Sequence, residues 1–385
     1  MHSEPKGTQV SLQKLESYDP METLAAIKKL LAPLGGMSAF VRPGEKVLIK
    51  PNLLAGKPPD KAVTTHPEIV RAVIKLAQNA GGEVSVGDSP GIGSPENVAR
   101  KSGILAVVEE TGCRFVPFET SVTIHPARGT FHQFEVAKEV LDADVIINLP
   151  KLKTHQMMGL TCGVKNMFGA VVGLRKPRLH LQAGTDKAFF ALMLLELSEA
   201  LAPALTIVDA VVGMEGEGPG SGDPVKIGAL LAGSHPQAVD TVATELVGMQ
   251  ASQVWTQQQA IDTGRPYTQI RQLELSGEPL QSLKIRNFRP AKMTDVNFGL
   301  KGGLKHYLRN ALTARPEPDH HLCKRCNDCV ALCPAVAMKI ENNRLQIDYN
   351  LCIRCFCCQE LCPHGALITK QGVLLRLHSL LHKKN

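Results

Sequence analysis

Eight cysteines near the C-terminus form two runs whose spacing is typical of metal ligands. The runs are Cys323, Cys326, Cys329 and Cys333, spaced C-x2-C-x2-C-x3-C, and Cys352, Cys355, Cys358 and Cys362, which repeat that spacing. A proline follows the last cysteine of each run. Because a chain of 385 residues can bury a large core, it does not need disulfides for stability. The clustering therefore favours a metal centre over disulfide pairing.

The duplicated spacing resembles the bacterial two-cluster ferredoxin pattern over residues 319–369. In that pattern three neighbouring thiolates hold one cluster, and the fourth cysteine of the run ligates the other cluster. The resemblance implies two 4Fe-4S clusters, one held by Cys323, Cys326, Cys329 and Cys362 and the other by Cys352, Cys355, Cys358 and Cys333. Such clusters exchange single electrons. Zinc is the alternative metal, but zinc ligand pairs are usually separated by a longer loop. Cys357 is an extra cysteine, and we expect it to be a packed or free thiol.

The first 250 residues alternate short apolar runs with helical patterns. Strands are predicted at residues 46–50, 83–86, 114–118, 144–149 and 205–212, and helices at 66–80, 185–200 and 236–247. This alternation indicates βαβ units. The predicted fold class is α/β, a mostly parallel sheet with flanking helices, followed by a small α+β ferredoxin-like C-terminal domain.

Four loops that follow predicted strands are rich in glycine, proline and polar residues. They cover residues 50–56, 87–95, 148–155 and 213–224. Because open parallel sheets bind ligands beyond the carboxyl ends of their strands, we expect a ligand site among these loops. The acidic, glycine-rich loop at 213–224 is either a hard-cation site or a mobile lid, and it lacks the Lys-Ser or Lys-Thr pair of a nucleotide-binding P-loop.

The side chains of the first three loops, together with Lys165 and Asn166, predict an anion pocket. The predicted substrate-binding residues are Lys50, Asn52, Asp88, Lys151 and Asn166, and the predicted catalytic residues are His155, Lys153 and Lys165. Lysines near strand ends attract carboxylate or phosphate, and amides fix its orientation. His155 is the candidate general acid because histidine titrates near neutral pH. Each side chain also has an alternative role. The lysines are then ordinary exposed surface residues, and His155 donates a structural hydrogen bond to a carbonyl. Asp88 then either accepts hydrogen bonds from the backbone of its own turn or binds a metal.

The strings KPNLL, TTHPE, GDSPG, NLPKLKTH and GVKNMFG resemble the domain of unknown function 362 family, often fused to a ferredoxin-like segment. The resemblance covers residues 47–249 and implies an architecture, since the family brings no settled reaction with it. The predicted domains are an α/β domain at 1–283, a basic linker at 284–318, the ferredoxin-like domain at 319–370 and a basic tail at 371–385.

Composition narrows the class of protein. Hydrophobic residues make up 44% and charged residues 21%, which excludes disorder. The apolar stretch at 189–205 contains two glutamates, so no membrane span is expected, and the N-terminus has no signal peptide pattern, which predicts a cytoplasmic protein.

Residues 284–315 carry eight basic residues and one acid, which suits a solvated linker or a surface for an acidic redox partner. No nucleic-acid motif accompanies this charge.

The sequence thus predicts an oxygen-sensitive, anaerobic oxidoreductase of the ferredoxin type, which passes electrons from two 4Fe-4S clusters to a small anionic substrate or cofactor. One alternative is a non-catalytic electron carrier or assembly protein that docks a redox partner protein. Another is a metal-dependent enzyme or cofactor-maturation protein that uses His66, His155 or His180 together with Asp88.

Overall fold

The computed structural model describes residues 8–173, 175–295 and 309–381. Within these ranges the strands are β1 (Thr8–Lys14), β2 (Lys46–Pro51), β3 (Glu83–Val86), β4 (Arg114–Phe115), β5 (Ser121–Ile124), β6 (Phe134–Ala137), β7 (Val145–Leu149), β8 (Lys151–His155), β9 (Gly159–Thr161), β10 (Leu205–Glu215), β11 (Asp223–Gly233), β12 (Leu273–Gly277), β13 (Ala314–Pro318), β14 (Met338–Glu341), β15 (Arg344–Ile347) and β16 (Leu367–Gln371). The helices are α1 (Pro20–Leu31), α2 (Pro67–Asn79), α3 (Pro95–Lys101), α4 (Ile104–Glu110), α5 (Lys138–Leu141), α6 (Gly163–Asn166), α7 (Arg175–Ala183), α8 (Lys187–Leu201), α9 (Pro236–Leu246), α10 (Trp255–Asp262), α11 (Leu280–Leu283), α12 (Arg309–Leu312), α13 (Asp328–Ala331), α14 (Cys357–Leu361) and α15 (Val373–Leu381).

One large sheet organises the first part of the chain, in the order β12-β1-β11-β10-β7-β2-β3-β4 among the described strands. The run from β10 through β7, β2 and β3 to β4 is parallel. β11 is antiparallel to both β10 and β1. β8 follows β7 along the same edge of β10 and pairs with β10 in parallel. On its other side, β8 pairs antiparallel with β9. The prediction of a mostly parallel α/β sheet is confirmed.

Both faces of the central strands are buried, which explains their nearly continuous apolar sequence. In β2, Val47 and Ile49 face one hydrophobic cluster while Leu48 between them faces another. The first cluster packs beneath α1, α2 and α4, and the second packs beneath α8. Successive side chains of a strand point to opposite faces, so one short strand ties both layers together.

Sequence signals fix several helix ends. α2 begins at Pro67 after His66, whose side chain accepts a hydrogen bond from the Glu68 amide. α3 begins at Pro95, and Ser94 caps it. Proline suits the first helical position because the amide that it lacks has no partner there. The start of α2 agrees with the helix predicted at 66–80.

The C-terminal part forms two short antiparallel pairs, β13 with β16 and β14 with β15. The helices α13 and α14 each lie within a run of cysteines, between its second and fourth members. This arrangement confirms the small second unit of the predicted fold class. Among the described residues, no helix is long and apolar enough to cross a membrane.

Two segments differ in structure from the simplest interpretation of the sequence. Residues 151–155 were expected to be a loop, yet they form β8, because ion pairs and hydrogen bonds compensate their buried polar side chains. In the basic segment, Arg289 forms ion pairs with Glu215 and Asp223 of the large domain, and residues 314–318 are strand β13. Lys301 and Lys305 of this segment, and residues 382–385 of the basic tail, lie outside the described residues.

Candidate functional site

A buried ion pair lies at the carboxyl end of β2. Lys50 Nζ is 2.8 Å from Asp88 Oδ1 and donates a hydrogen bond to the Asn166 carbonyl at 2.6 Å. Asp88 also accepts a hydrogen bond from the Leu53 amide at 2.8 Å. A Cβ on Gly169 would lie 2.1 Å from Asp88 Oδ1, so only glycine fits beside the pair. Burial lowers the pKa of Lys50, while the charge of Asp88 opposes that shift.

A chain of hydrogen-bonded amides starts from Lys153. Its Nζ donates to Asn52 Oδ1 at 2.8 Å and to the Val63 carbonyl at 2.6 Å. Asn52 then donates to Asn166, and Asn166 donates to Asn148, each at 2.8 Å. Burial lowers the pKa of Lys153 to about 7. The chain fixes the orientation of the amides and leaves Lys153 with an ammonium that loses its proton readily.

The strand β8 explains why the lysines of one motif have different partners. Its period of two places Lys151, Lys153 and His155 on one face, with successive side chains about 7 Å apart along the strand. Lys151 lies outside the pocket described below. It forms a buried ion pair with Asp209 at 2.5 Å, and it donates a hydrogen bond to Tyr18 at 3.0 Å. The structure therefore brings Lys153 to the predicted site and gives Lys151 to a separate buried network.

His155 is held at the far end of β8. Its Nδ1 accepts hydrogen bonds from the amides of Met157 and Met158, both at 3.1 Å, so the proton of the neutral ring lies on Nε2. Nε2 lies 3.4 Å from Glu360 Oε2. Burial, and then the charge of Lys165, lower the pKa of His155 to about 4. His155 is thus neutral at physiological pH and reaches the pocket through Glu360.

Glu360 comes from α14, between two cysteines of the second run. Burial acts to raise its pKa, but Lys165, His155 and His180 reverse that effect and hold the pKa well below its usual range. The carboxylate is therefore ionised. A residue of the small C-terminal unit thus supplies a negative charge to a cluster of basic side chains in the large domain.

Lys165 has no hydrogen bond or ion pair with any described residue, although its side chain is buried. Its Nζ lies 5.7 Å from the centre of the Phe168 ring. His180 stacks on Phe190 with the ring centres 4.1 Å apart, and its buried Nδ1 has no hydrogen-bond partner within the described ranges. The buried Thr161 hydroxyl is unpartnered in the same sense. Polar atoms with unused hydrogen-bonding capacity therefore lie together.

These groups surround a pocket of about 650 Å³, counted with its open mouth. Its polar lining consists of Asn52, Asp88, Ser89, Lys153, Thr161, Lys165, Asn166, Lys176, His180 and Glu360, with Cys357 beside them. Lys176 and His180 lie one helical turn apart on α7, and Lys176 donates hydrogen bonds to the carbonyl and the hydroxyl of Ser89. Burial lowers the pKa of Lys176 to about 7.

Sequence reasoning missed four members of this lining. They are Thr161, Lys176, His180 as a pocket residue, and Glu360. Glu360 gives no signal because it lies inside a cysteine run, where the intervening residues are expected on the surface. Lys176 and His180 are four residues apart, and that spacing was the one available sign of a shared helix face.

The glycine-rich loop joining β10 to β11 contacts the small unit. Gln359 donates a hydrogen bond to the Glu217 carbonyl at 3.0 Å, and a Cβ on Gly220 would lie 2.5 Å from the Glu360 carbonyl. On the other side, Lys57 donates to the Pro363 carbonyl at 2.7 Å. The loop that was expected to be a lid or a cation site is here part of the contact between the two units.

The structure brings the cysteines together in two groups. Cys323, Cys326, Cys329 and Cys362 line one common pocket. Around Cys358, the charges of Cys355, Cys352, Cys329 and Cys333 raise the pKa of its thiol, after the larger effect of burial, so Cys329 of the first group is a neighbour as well. The sulfurs of Cys333 and Cys362 each accept a backbone amide hydrogen bond at 3.3 Å. The thiolates and the amide donors of each group fit an iron–sulfur cluster.

The backbone around the two runs repeats as well. Arg325 and Asn327 in the first run have φ of 58° and 70°, and Arg354 and Phe356 in the second have 59° and 60°. A left-handed backbone is uncommon for residues with a side chain. Its recurrence at matching positions on both sides of a cysteine indicates that the two halves wrap their sulfurs in the same way.

Comparisons with known proteins agree with this architecture. A family model for the 4Fe-4S dicluster domain matches residues 315–363, which makes this an iron–sulfur protein. A thylakoid-associated protein of Synechocystis sp. is 38% identical over 302 residues, which is 78% of this chain and 94% of the relative. The apoprotein of lactate racemase from Thermoanaerobacterium thermosaccharolyticum aligns in structure with a TM-score of 0.42 at 12% identity, over 66% of this chain and 59% of that one. The model of the domain of unknown function 362 matches residues 47–245, more than half of the sequence, and the chain therefore belongs to that family.

Proposed function

We propose that this protein is an iron–sulfur oxidoreductase that reduces a small anionic substrate in the pocket between its two units. The main support for this proposal is the position of α14. Cys357 and Glu360 on this helix form part of the pocket wall, and the same helix contains Cys358 and precedes Cys362. The candidate cluster ligands and the candidate substrate are thus separated by a single short helix.

Two clusters are proposed, with the ligand sets that the two-cluster ferredoxin pattern implies. One would be held by Cys323, Cys326, Cys329 and Cys362, and the other by Cys352, Cys355, Cys358 and Cys333. When bound, 4Fe-4S clusters supply electrons one at a time. Two such clusters suffice for a two-electron reduction, with an external one-electron donor protein as the reductant.

The two sites differ in their exposure to solvent. Cys326 is exposed, whereas Cys352, Cys355 and Cys358 are buried. Cys355 and Cys357 pack into the hydrophobic cluster beneath α8 of the large domain. This difference supports an outer site that a redox partner can approach and an inner site next to the pocket.

Lys153 is the proposed proton donor, because a group with a pKa of about 7 gives up a proton most effectively near neutral pH. His155 suits this role less well, since its pKa is about 4 and its proton points at Glu360. Lys165 is proposed to bind the anion, with Asn52 and Asn166 orienting it. The ion pair of Lys50 with Asp88 would form the floor of the pocket. The second proton would come from solvent through the pocket mouth.

The test begins with protein purified without oxygen. We expect about eight irons per chain and two reducible clusters that interact in the electron paramagnetic resonance spectrum. After reduction with dithionite and removal of the excess, a set of small carboxylates that can accept two electrons is mixed with the protein, and cluster reoxidation is followed by absorbance. At least one carboxylate should reoxidise the clusters quickly.

The matched variants are Lys165→Met and Lys75→Met. Lys75 is an exposed lysine on α2, so its loss should leave reoxidation unchanged, while loss of Lys165 should slow it at least tenfold. Full turnover of an identified substrate by a folded protein without clusters would contradict the proposal. If no carboxylate reoxidises the clusters but a partner protein does, the chain is instead an electron carrier.

A further inference from the structure

We infer that the ligand of the pocket is a small carboxylate that also carries a hydrogen-bond donor. The carboxylate would bind Lys165 and Lys153, and Glu360 would accept the hydrogen bond from the donor group. This inference rests on the proposed function only for the identity of the pocket as the substrate site.

The basic side chains of the pocket have hydrogen-bond donors that no described residue uses. An ammonium has three donors, and Lys165 uses none of them on the described residues. Lys153 uses two, on Asn52 and on the Val63 carbonyl. The unpartnered Thr161 hydroxyl lines the same pocket. Since a buried charge without a partner is costly, these donors suit an anion that enters from solvent.

A balance of charge limits how much negative charge the ligand brings. Four amines border the pocket or its floor, namely Lys50, Lys153, Lys165 and Lys176, and two carboxylates face them, Asp88 and Glu360. The surplus is two positive charges when all four amines are protonated and about one at pH 7, where Lys153 and Lys176 are each half protonated because their pKa values are about 7. One carboxylate group matches this surplus.

Glu360 repels a second anionic group. The side chain of Glu360 is 14% exposed, and one of its oxygens lies 3.4 Å from His155 Nε2. A ligand carboxylate beside it would meet a like charge at low dielectric, whereas a hydroxyl or amine would donate a hydrogen bond to a charged acceptor. The ligand therefore carries one carboxylate, which the lysines bind, and a hydrogen-bond donor for Glu360.

The lining also includes apolar side chains, namely Leu54, Phe168, Pro177, Pro219 and Leu361. A carbon skeleton can contact these side chains while its polar groups reach their partners. The enclosed part of the pocket is much smaller than its open mouth, so a short chain fits inside it and a single ring would extend into the mouth.

The test measures binding by calorimetry on the anaerobic holoprotein, with two matched series of probes. The aliphatic series is propanoate, 3-hydroxypropanoate and propane-1,3-diol, and the aromatic series is benzoate, 4-hydroxybenzoate and 4-hydroxybenzyl alcohol. In at least one series we expect the hydroxy acid to bind about tenfold more tightly than the plain acid, and the alcohol to bind at least tenfold more weakly than either acid.

Two variants distinguish the contact with the ligand carboxylate from the contact with its hydrogen-bond donor. Lys165→Met should weaken both acids of the binding series at least tenfold, and Glu360→Gln should abolish the preference for the hydroxy acid while the plain acid still binds. Lys75→Met is the control, and iron content reports that each variant is folded. Failure of both series to bind, or an alcohol that binds as tightly as its acid, would overturn the inference. Because the measurement needs no turnover, binding without cluster reoxidation would refute the redox proposal and leave this inference standing.

Discussion

The Glu360 carboxylate lies 3.4 Å from Nε2 of His155, which joins a residue of the second cysteine run to the polar face of β8. The two residues are 205 positions apart in sequence. The pocket is therefore complete only when the C-terminal unit is docked on the large domain. Its chemistry and the docking of the two units depend on the same side chains.

Replacement of Glu360 by alanine should reduce the free energy of unfolding of the holoprotein by about 1–3 kcal/mol, because Lys165 and His155 lose their anionic neighbour. Urea unfolding, followed through the absorbance of the clusters, measures this change. Glu109→Ala removes an exposed glutamate from α4 and should change stability little. An equal loss in both variants would show that the Glu360 charge does not stabilise the docked unit.

The buried pair of Lys50 and Asp88 should show strong coupling in a double-mutant cycle. Lys50→Met or Asp88→Leu alone leaves one buried charge unpaired, which costs about 3–5 kcal/mol. The double variant should be much less destabilised than the sum of the two single variants. Additive losses of stability would mean that the two charges do not interact.

Lys151 and Lys165 should have opposite roles although they belong to neighbouring motifs. Lys151→Met breaks the buried ion pair with Asp209 and should destabilise the protein by about 3–5 kcal/mol, with no change in the affinity for carboxylates. Lys165→Met should weaken carboxylate binding and destabilise the protein less than Lys151→Met, because Lys165 interacts with Glu360 at longer range and has no direct ion pair to lose. The free energy of unfolding and the calorimetric affinity for carboxylates, measured on both variants, test this contrast.

The extra cysteine should be dispensable for iron. Cys357 lines the substrate pocket, whereas its neighbour Cys358 belongs to the inner group of thiols. We expect Cys357→Ser to retain about eight irons per chain and Cys358→Ser to lose about half of them. Equal iron contents in the two variants would contradict the proposed ligand sets.

Asp240 should make stability depend on pH. Its carboxylate accepts hydrogen bonds from the amides of Gly163 and Val164 at the start of α6, and burial raises its pKa to about 7. The folded state therefore holds this proton more tightly than the unfolded chain. The resulting stability is fully present below about pH 4 and is lost as the pH rises through 7.

Asp240→Asn removes this titration. The unfolding free energy of the wild type minus that of the variant should fall by a few kcal/mol between pH 4 and pH 8, and remain constant at higher pH. Asp262→Asn, at an exposed position on α10, is the control and should show no such trend. A constant difference for Asp240→Asn across this range would mean that the carboxyl group is already ionised in the folded protein at low pH.

The parts of the fold that sequence predicts are those governed by local periodicity. The strand expected at 46–50 is β2, and the helix expected at 66–80 is α2, because apolar repeats and a proline start mark both. β8 has no such mark. Its sequence KLKTH is polar, and it is buried only because Asp209, Asn52 and Glu360 supply partners from distant segments.

The candidate site divides in the same way. Lys50, Asn52, Asp88 and Asn166 follow strands or lie close to them, and a rule about strand ends predicted that they meet. The contribution of α14 follows from the docking of two units, for which no local pattern exists. Unused hydrogen-bonding capacity, as at Lys165 and His180, is visible only once all neighbours are in place.

The repeated left-handed backbone of the cysteine runs lies in two different environments. At matching positions the first half has the exposed Arg325 and Asn327, and the second half has the buried Arg354 and Phe356. Two halves with one local geometry thus meet two different surroundings, water on one side and the large domain on the other. Any difference in properties between the two halves therefore comes from what each half is packed against.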